Sequence, residues 1–271
     1  MAGLMSHGAR SALFAPLDQT GRAEAVTRRL VDAISLGLLT EAEQLPSESE
    51  LAGRFGVSTV TVREALVALR QLGLVETRRG RGGGSFVRAP RAASTAASAW
   101  TRRLRAVSLS ELRDLGDHYA AVAGAAARLA AERSSAEDLA RLELACRDIR
   151  GAEGPALSRA ERVFHLELAA AAQSPRLTHQ ELALQAEQGG LLWLPLYEPR
   201  AASGPASASP SGDGGGDPRE AAGPGDAHAA HRDIARAVAD GDGDAARAHT
   251  EEHILAAVDR LAELHLSLLD P

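Results

Sequence analysis

The 271-residue chain contains a single cysteine, Cys146, so no internal disulfide can form, which suits a reducing cytosol. It has no lysine: all 30 basic side chains are arginine, a bias read as genomic composition before chemistry. Aromatic residues are only 3% of the chain against 45% hydrophobic residues overall, so any core must be built from Ala, Leu and Val. Ala and Leu are strong helix formers, and the composition leans helical. No apolar run approaches the roughly 20 residues that a bilayer span requires. No basic segment followed by an apolar core opens the chain, so secretion is not expected and a cytoplasmic, membrane-free protein is. The net charge is −6, so whole-chain charge does not announce a polyanionic partner, and such a case must rest on local distribution.

The length is comfortable for two domains, each with its own core. Residues 1–20 show no period and read as a flexible arm. A patterned unit occupies 21–88, and the small polar residues from 89 to about 105 read as a linker. A helical region fills 106–271. Within it, 199–226 is rich in Gly, Pro, Ser and Ala and is expected to be a disordered insertion.

In the first unit, residues 22–38 place Val26, Leu30, Ala33, Ile34 and Leu38 on one helical face. Ser47 and Glu50 form a capping box at the start of a short second helix, with Leu51, Ala52 and Phe55 inward and Gly56 as its stop. Ser58 caps a third helix whose inward side is Val62, Ala65, Leu66, Leu69 and Leu72. A short helix, a Gly-containing turn and a longer helix make a helix-turn-helix, a geometry that is often merely structural. The segment LVETRRGRGGGSFV follows as strand, basic Gly-rich tip and strand. A structural hairpin rarely needs such a tip, so it reads as a wing that meets DNA phosphates or the minor groove. The expected DNA-facing residues are Ser47, Ser49, Ser58, Thr59, Thr61 and Arg63, with Arg78, Arg79, Gly80 and Arg81 at the wing tip.

The run from Leu45 to Val87 resembles the GntR family signature. The resemblance implies that Thr61 and Arg63 are DNA-contacting positions and that Arg79 and Gly80 are the wing tip. Two positions depart from the family pattern, Ser49 and Thr59, where arginine is usual.

The helical region shows no strand periodicity, so the fold class expected is mainly α: an N-terminal winged helix-turn-helix followed by an all-α bundle. Glu161 and His165 stand four residues apart on one helical face. Near the C-terminus, DGDGD interrupts a helix and folds it into a hairpin. His231 and His253 are equidistant from its centre and fall at the same level. One Glu-xxx-His pair facing two level histidines would suit a first-row metal. The chain has nine histidines, however, and on spacing alone solvated histidines are the commoner explanation. His249 faces either a cavity or solvent. Asp240, Asp242 and Asp244 read as turn and capping residues rather than a calcium loop, and Cys146 as a small buried hydrophobe.

Residues 110–265 resemble the FCD domain of FadR-like GntR regulators. In that family a metal on such a carboxylate and histidine set can hold a carboxylate effector. The resemblance implies Glu161, His165, His231 and His253 as ligands for Zn, Ni, Fe or Mn. It also brings Tyr119 to the position where the family often carries an effector-binding arginine. The implied protein is a homodimer that binds a double-stranded DNA operator and answers to a small organic acid, with no catalytic residues. Two alternatives stand beside it. One is a DNA-binding dimer with a vestigial sensor; the other is a metalloenzyme, which no nucleophile–base pair supports.

Overall fold

A computed structural model describes residues 21–80, 82–88, 101–193 and 224–269. The expected arm at 1–20, Arg81, the linker from 89 to 100 and the insertion from 199 to 223 lie outside the described residues.

The N-terminal unit opens with α1 (Arg22–Ser35), which buries Val26, Leu30, Ala33 and Ile34. Leu38 is also buried, but from the turn beyond the helix rather than from its face. α2 (Glu48–Phe55) starts at the Ser47–Glu50 capping box and ends at Gly56 in the left-handed conformation. α3 (Thr59–Gln71) starts at the Ser58 cap and buries Val62, Ala65, Leu66 and Leu69. Leu72 does not join them and is 61% exposed. It is the C-cap of α3, and Gly73 at φ 72° turns the chain so that Leu74 packs on the core instead. β1 (Val75–Arg78) and β2 (Gly84–Val87) pair antiparallel, from Val75↔Val87 to Arg78↔Gly84. The tip admits only glycine at position 83, where a Cβ would lie 2.5 Å from the Arg78 carbonyl oxygen.

Residues 101–106 are helical and bury Leu104, so the expected linker ends sooner than its composition implied. The carbonyl of Leu104 lies 2.9 Å from His265 Nδ1, which ties this turn to the end of the chain. The bundle follows as α4 (Leu109–Arg133), α5 (Ala136–Ile149), α6 (Gly154–Ala171) and α7 (Pro175–Leu184). α7 runs on as a π turn over Gln185–Gly189 and a short α8 (Gly190–Leu192). α9 (Pro224–Ala239) and α10 (Gly243–Leu269) form the C-terminal hairpin. α9 takes in the last three residues assigned to the insertion; proline's fixed φ suits a first helical turn. Asp242 caps the next helix, its Oδ1 accepting from Ala245 N at 2.9 Å.

α4 and α10 pack along their lengths, closely enough that a Cβ at Gly116 would lie 2.7 Å from Val258 Cγ2. The two units share apolar packing. The core of the winged helix continues into Val163 and Leu166 of α6 and Leu182 of α7. Arg162, only 4% exposed, donates from Nε to the Leu36 carbonyl at 2.9 Å and from Nη1 to Ser158 Oγ at 2.7 Å.

Candidate functional site

Of the residues expected to face DNA, Arg81 lies outside the described residues and the others are at or near the surface of the N-terminal unit. Ser47, Ser49, Ser58, Thr59, Arg63, Arg78, Arg79 and Gly80 are exposed, and Thr61 is half-buried. Several of their polar groups are engaged within the unit. Ser47 Oγ donates to Glu50 Oε2 at 2.7 Å and lies 3.2 Å from Ser49 Oγ. Ser58 Oγ accepts from the Thr61 amide at 3.1 Å and lies 2.9 Å from its hydroxyl. Arg63 reaches back to α2, donating to Glu48 Oε2 from Nε at 3.1 Å and from Nη2 at 2.8 Å. Arg78 pairs with Glu76 at 2.7 Å and lies over the Phe86 ring, 4.4 Å from its centroid. Glu48 is a partner that spacing alone did not bring to Arg63, because the two residues meet only through the angle between α2 and α3.

The second constellation is buried in the bundle. α6 supplies Glu161 and His165, α9 supplies His231, and α10 supplies His253. All four are buried, and one ligand atom from each lies within 4.8 Å of the other three. Glu161 Oε2 is 2.8 Å from His231 Nε2 and 3.5 Å from His253 Nε2. The His231 and His253 rings are 4.3 Å apart, as the hairpin register required. His249 is exposed and takes no part. Cys146 is buried as expected; its Sγ lies 3.4 Å from the His231 carbonyl, and burial pushes its thiol up to about 12.

The electrostatics are those of a ligand set. Burial by itself would lift Glu161, but the imidazoles of His231 and His253 outweigh it and hold the carboxyl well below its usual range. Burial, with the charges of its histidine neighbours, holds His165 well below the usual imidazole range, and His253 is lowered for the same reasons. An ionised Glu161 carboxylate beside a His165 ring kept below its usual range offers two donors in the form that coordinates a metal. The fit is also visible in what is left unbonded. Both ring nitrogens of His165 are buried without hydrogen bonds. Buried polar atoms are normally satisfied, and a divalent cation would take one of these nitrogens.

Tyr119 on α4 is fully buried, its ring centroid 6.2 Å from that of His165. Its hydroxyl donates to Glu181 Oε1 at 2.5 Å, and Gln185 Nε2 donates to the same oxygen at 2.8 Å. Burial raises the Glu181 carboxyl to about 7 against these two hydrogen bonds. Trp193 stacks beside His165 and His253 at ring distances of 5.3 and 5.7 Å. Glu181, Gln185 and Trp193 carry no sequence signal: they lie in ordinary Leu- and Gln-rich stretches and converge only in the folded bundle.

The model of the gntR family of bacterial regulatory proteins matches residues 22–84, and that of the FCD domain matches residues 114–256. RmpR of Mycobacterium gastri, designated an HTH-type transcriptional regulator, is 39% identical over 261 residues, covering 96% of this chain and 87% of its own. LutR of Bacillus subtilis, an HTH-type transcriptional regulator, is 33% identical over 54% of this chain and 66% of its own. Among solved structures, E. coli McbR/YncC is 18% identical with a TM-score of 0.47, covering 91% of this chain and 99% of that one. With both domain models matched in order and a relative spanning nearly the whole sequence, the chain belongs to the GntR family, in its FadR-like FCD subfamily, and is a DNA-binding transcription regulator rather than an enzyme.

Proposed function

We propose that the protein binds its operator as a homodimer in the cytoplasm and that its helical domain senses a small carboxylate through a bound divalent metal. The observation that carries this reading is the buried quartet of Glu161, His165, His231 and His253, whose ligand atoms lie within 4.8 Å of one another. Three imidazoles and one carboxylate suit Zn, Ni, Fe or Mn and suit Ca poorly. A metal held there would supply Lewis acidity toward the oxygen of an organic acid. The chain's own residues do the rest. Glu161 and His165 fix one side of the site from α6, the hairpin sets His231 and His253 opposite, and Tyr119 lines the effector side.

On the DNA side, Ser47, Ser49, Ser58, Thr59, Thr61 and Arg63 form the recognition surface, with Arg78, Arg79, Gly80 and Arg81 in the wing. Arg63 and the wing arginines take the phosphates. One winged unit reads one half-site, and two half-sites about one helical turn apart call for a two-fold dimer built on the helical domain. Coupling runs through α6, which carries two metal ligands and, between them, the arginine that bonds the end of α1. An effector that favours one placement of α6 therefore favours one placement of the recognition helices.

The test is elemental analysis after purification with added metal, comparing wild type with the His231→Ala, His253→Ala double variant. Stoichiometric metal in the wild type and none in the variant is expected. Equal content, or none in either, leaves a DNA-binding dimer with a vestigial sensor.

A further inference from the structure

Around His165 the bundle encloses a second polar group that the metal would not satisfy. Gln185, fully buried at the start of the π turn, uses both hydrogens of its amide nitrogen. It donates to Glu181 Oε1 at 2.8 Å and to the Arg162 carbonyl, one turn before His165, at 2.9 Å. Its Oε1 is buried and has no donor. Trp193, 1% exposed and stacked on His165 at an interplanar angle of 19°, has a buried Nε1–H with no acceptor. A helix that widens into a π turn frequently does so at a functional site. Here the turn begins at Gln185 itself.

The leftover groups are one acceptor, on Gln185, and one donor, on Trp193, and Gln185 stands beside a carboxyl that already receives two hydrogen bonds. A second carboxylate on a ligand would only accept. It would leave Gln185 Oε1 unsatisfied. An alkyl group would satisfy neither group. A hydroxyl both donates and accepts. We infer that Glu181, Gln185 and Trp193 form a subsite that reads a hydroxyl, so that the effector is a hydroxylated carboxylate rather than a dicarboxylate or a simple fatty acid. The inference rests on the sensor reading above, with the ligand's carboxylate on the metal side. One cation argues the other way: Arg260, half-buried on α10 seven residues beyond His253, would favour a second carboxylate.

The experiment is calorimetric titration of the full metal-loaded chain with butanoate, its 2-, 3- and 4-hydroxy derivatives, and succinate. One hydroxybutanoate is expected to bind at least about tenfold more tightly than butanoate or succinate. Trp193→Phe keeps the stacked ring but removes the donor. It should erase most of that advantage, read as the ratio of hydroxybutanoate to butanoate affinity within the same variant. Succinate binding best, with its advantage lost in Arg260→Gln, would overturn the subsite and leave the sensor standing. The same follows if butanoate binds as well as every hydroxy derivative. No binding by any of the acids would remove the carboxylate-sensor reading and the subsite together.

Discussion

Replacing Arg162 with methionine should loosen the DNA-binding unit from the bundle at one identifiable bond. Leu36 lies just past the end of α1, where the last carbonyls have no intrahelical donors, and α1 has no basic residue in its last turn. Arg162 supplies both from another domain, as a donor to the Leu36 carbonyl at 2.9 Å and as a cation at the negative end of the helix. Methionine preserves most of the side-chain volume but leaves that carbonyl buried without its donor, at a cost of about 1–3 kcal/mol. The lost dipole interaction adds about 0.3–2 kcal/mol. Relief from burying a guanidinium offsets part of the sum. A net loss of about 2–4 kcal/mol is expected from urea unfolding of the full chain at unchanged slope. Ser158→Ala removes only the second bond, the one at 2.7 Å, and should cost about 1 kcal/mol. A loss below about 0.5 kcal/mol for Arg162→Met, or one no larger than that of Ser158→Ala, would refute the argument that Arg162 acts by capping α1.

Arg63→Ala and Arg79→Ala should each weaken binding to the chain's own promoter region and lower the salt slope of log affinity by about 1, with the melting temperature unchanged. Gel shifts that match wild type for both would displace the recognition surface. Glu181 has its carboxyl raised to about 7 in the folded state from an ordinary 4.5, so the folded protein keeps a proton that the unfolded chain releases. Its contribution to stability is complete below about pH 4.5 and is lost as pH rises through about 7. Glu181→Gln should therefore gain about 3 kcal/mol on wild type between pH 4.5 and pH 8 in paired urea melts; parallel pH profiles would contradict this. Gly116→Ala should lose about 1–2 kcal/mol although alanine is the better helix former, because the new methyl meets the branched, buried Val258 at 2.7 Å. A gain of about 1 kcal/mol would mean that Val258 yields freely.

What the sequence revealed was what the chain encodes locally or by simple register. The Ser47–Glu50 box, the Ser58 cap and the Gly56 stop each lie within a few residues of the helix end they govern. The buried cluster of one carboxylate and three histidines was legible for a related reason. Glu161 and His165 share a face by helical period, and the DGDGD turn brings His231 level with His253 by counting outward from its centre. Where the local rule ended, the reading slipped. Leu72 continues the apolar period of α3 but occupies the cap, where the period no longer applies. The 101–106 turn carries little apolar weight of its own and is held by Leu104 and by its contact with His265. Arg162, Glu181, Gln185 and Trp193 were invisible because each acquires its role from a partner on another element. No spacing within one helix announces such a meeting.

The winged helix does not close its own core, since Val163, Leu166 and Leu182 complete it from the bundle. The two domains are therefore not independent modules in the thermodynamic sense. Cut out at residue 88, the N-terminal piece would carry an apolar face meant for α6 and α7, and would be prone to self-association. In the intact chain, melting of the bundle should take the reading head with it in one cooperative step. Grafting this DNA-binding unit onto a foreign sensor would require carrying those three side chains along.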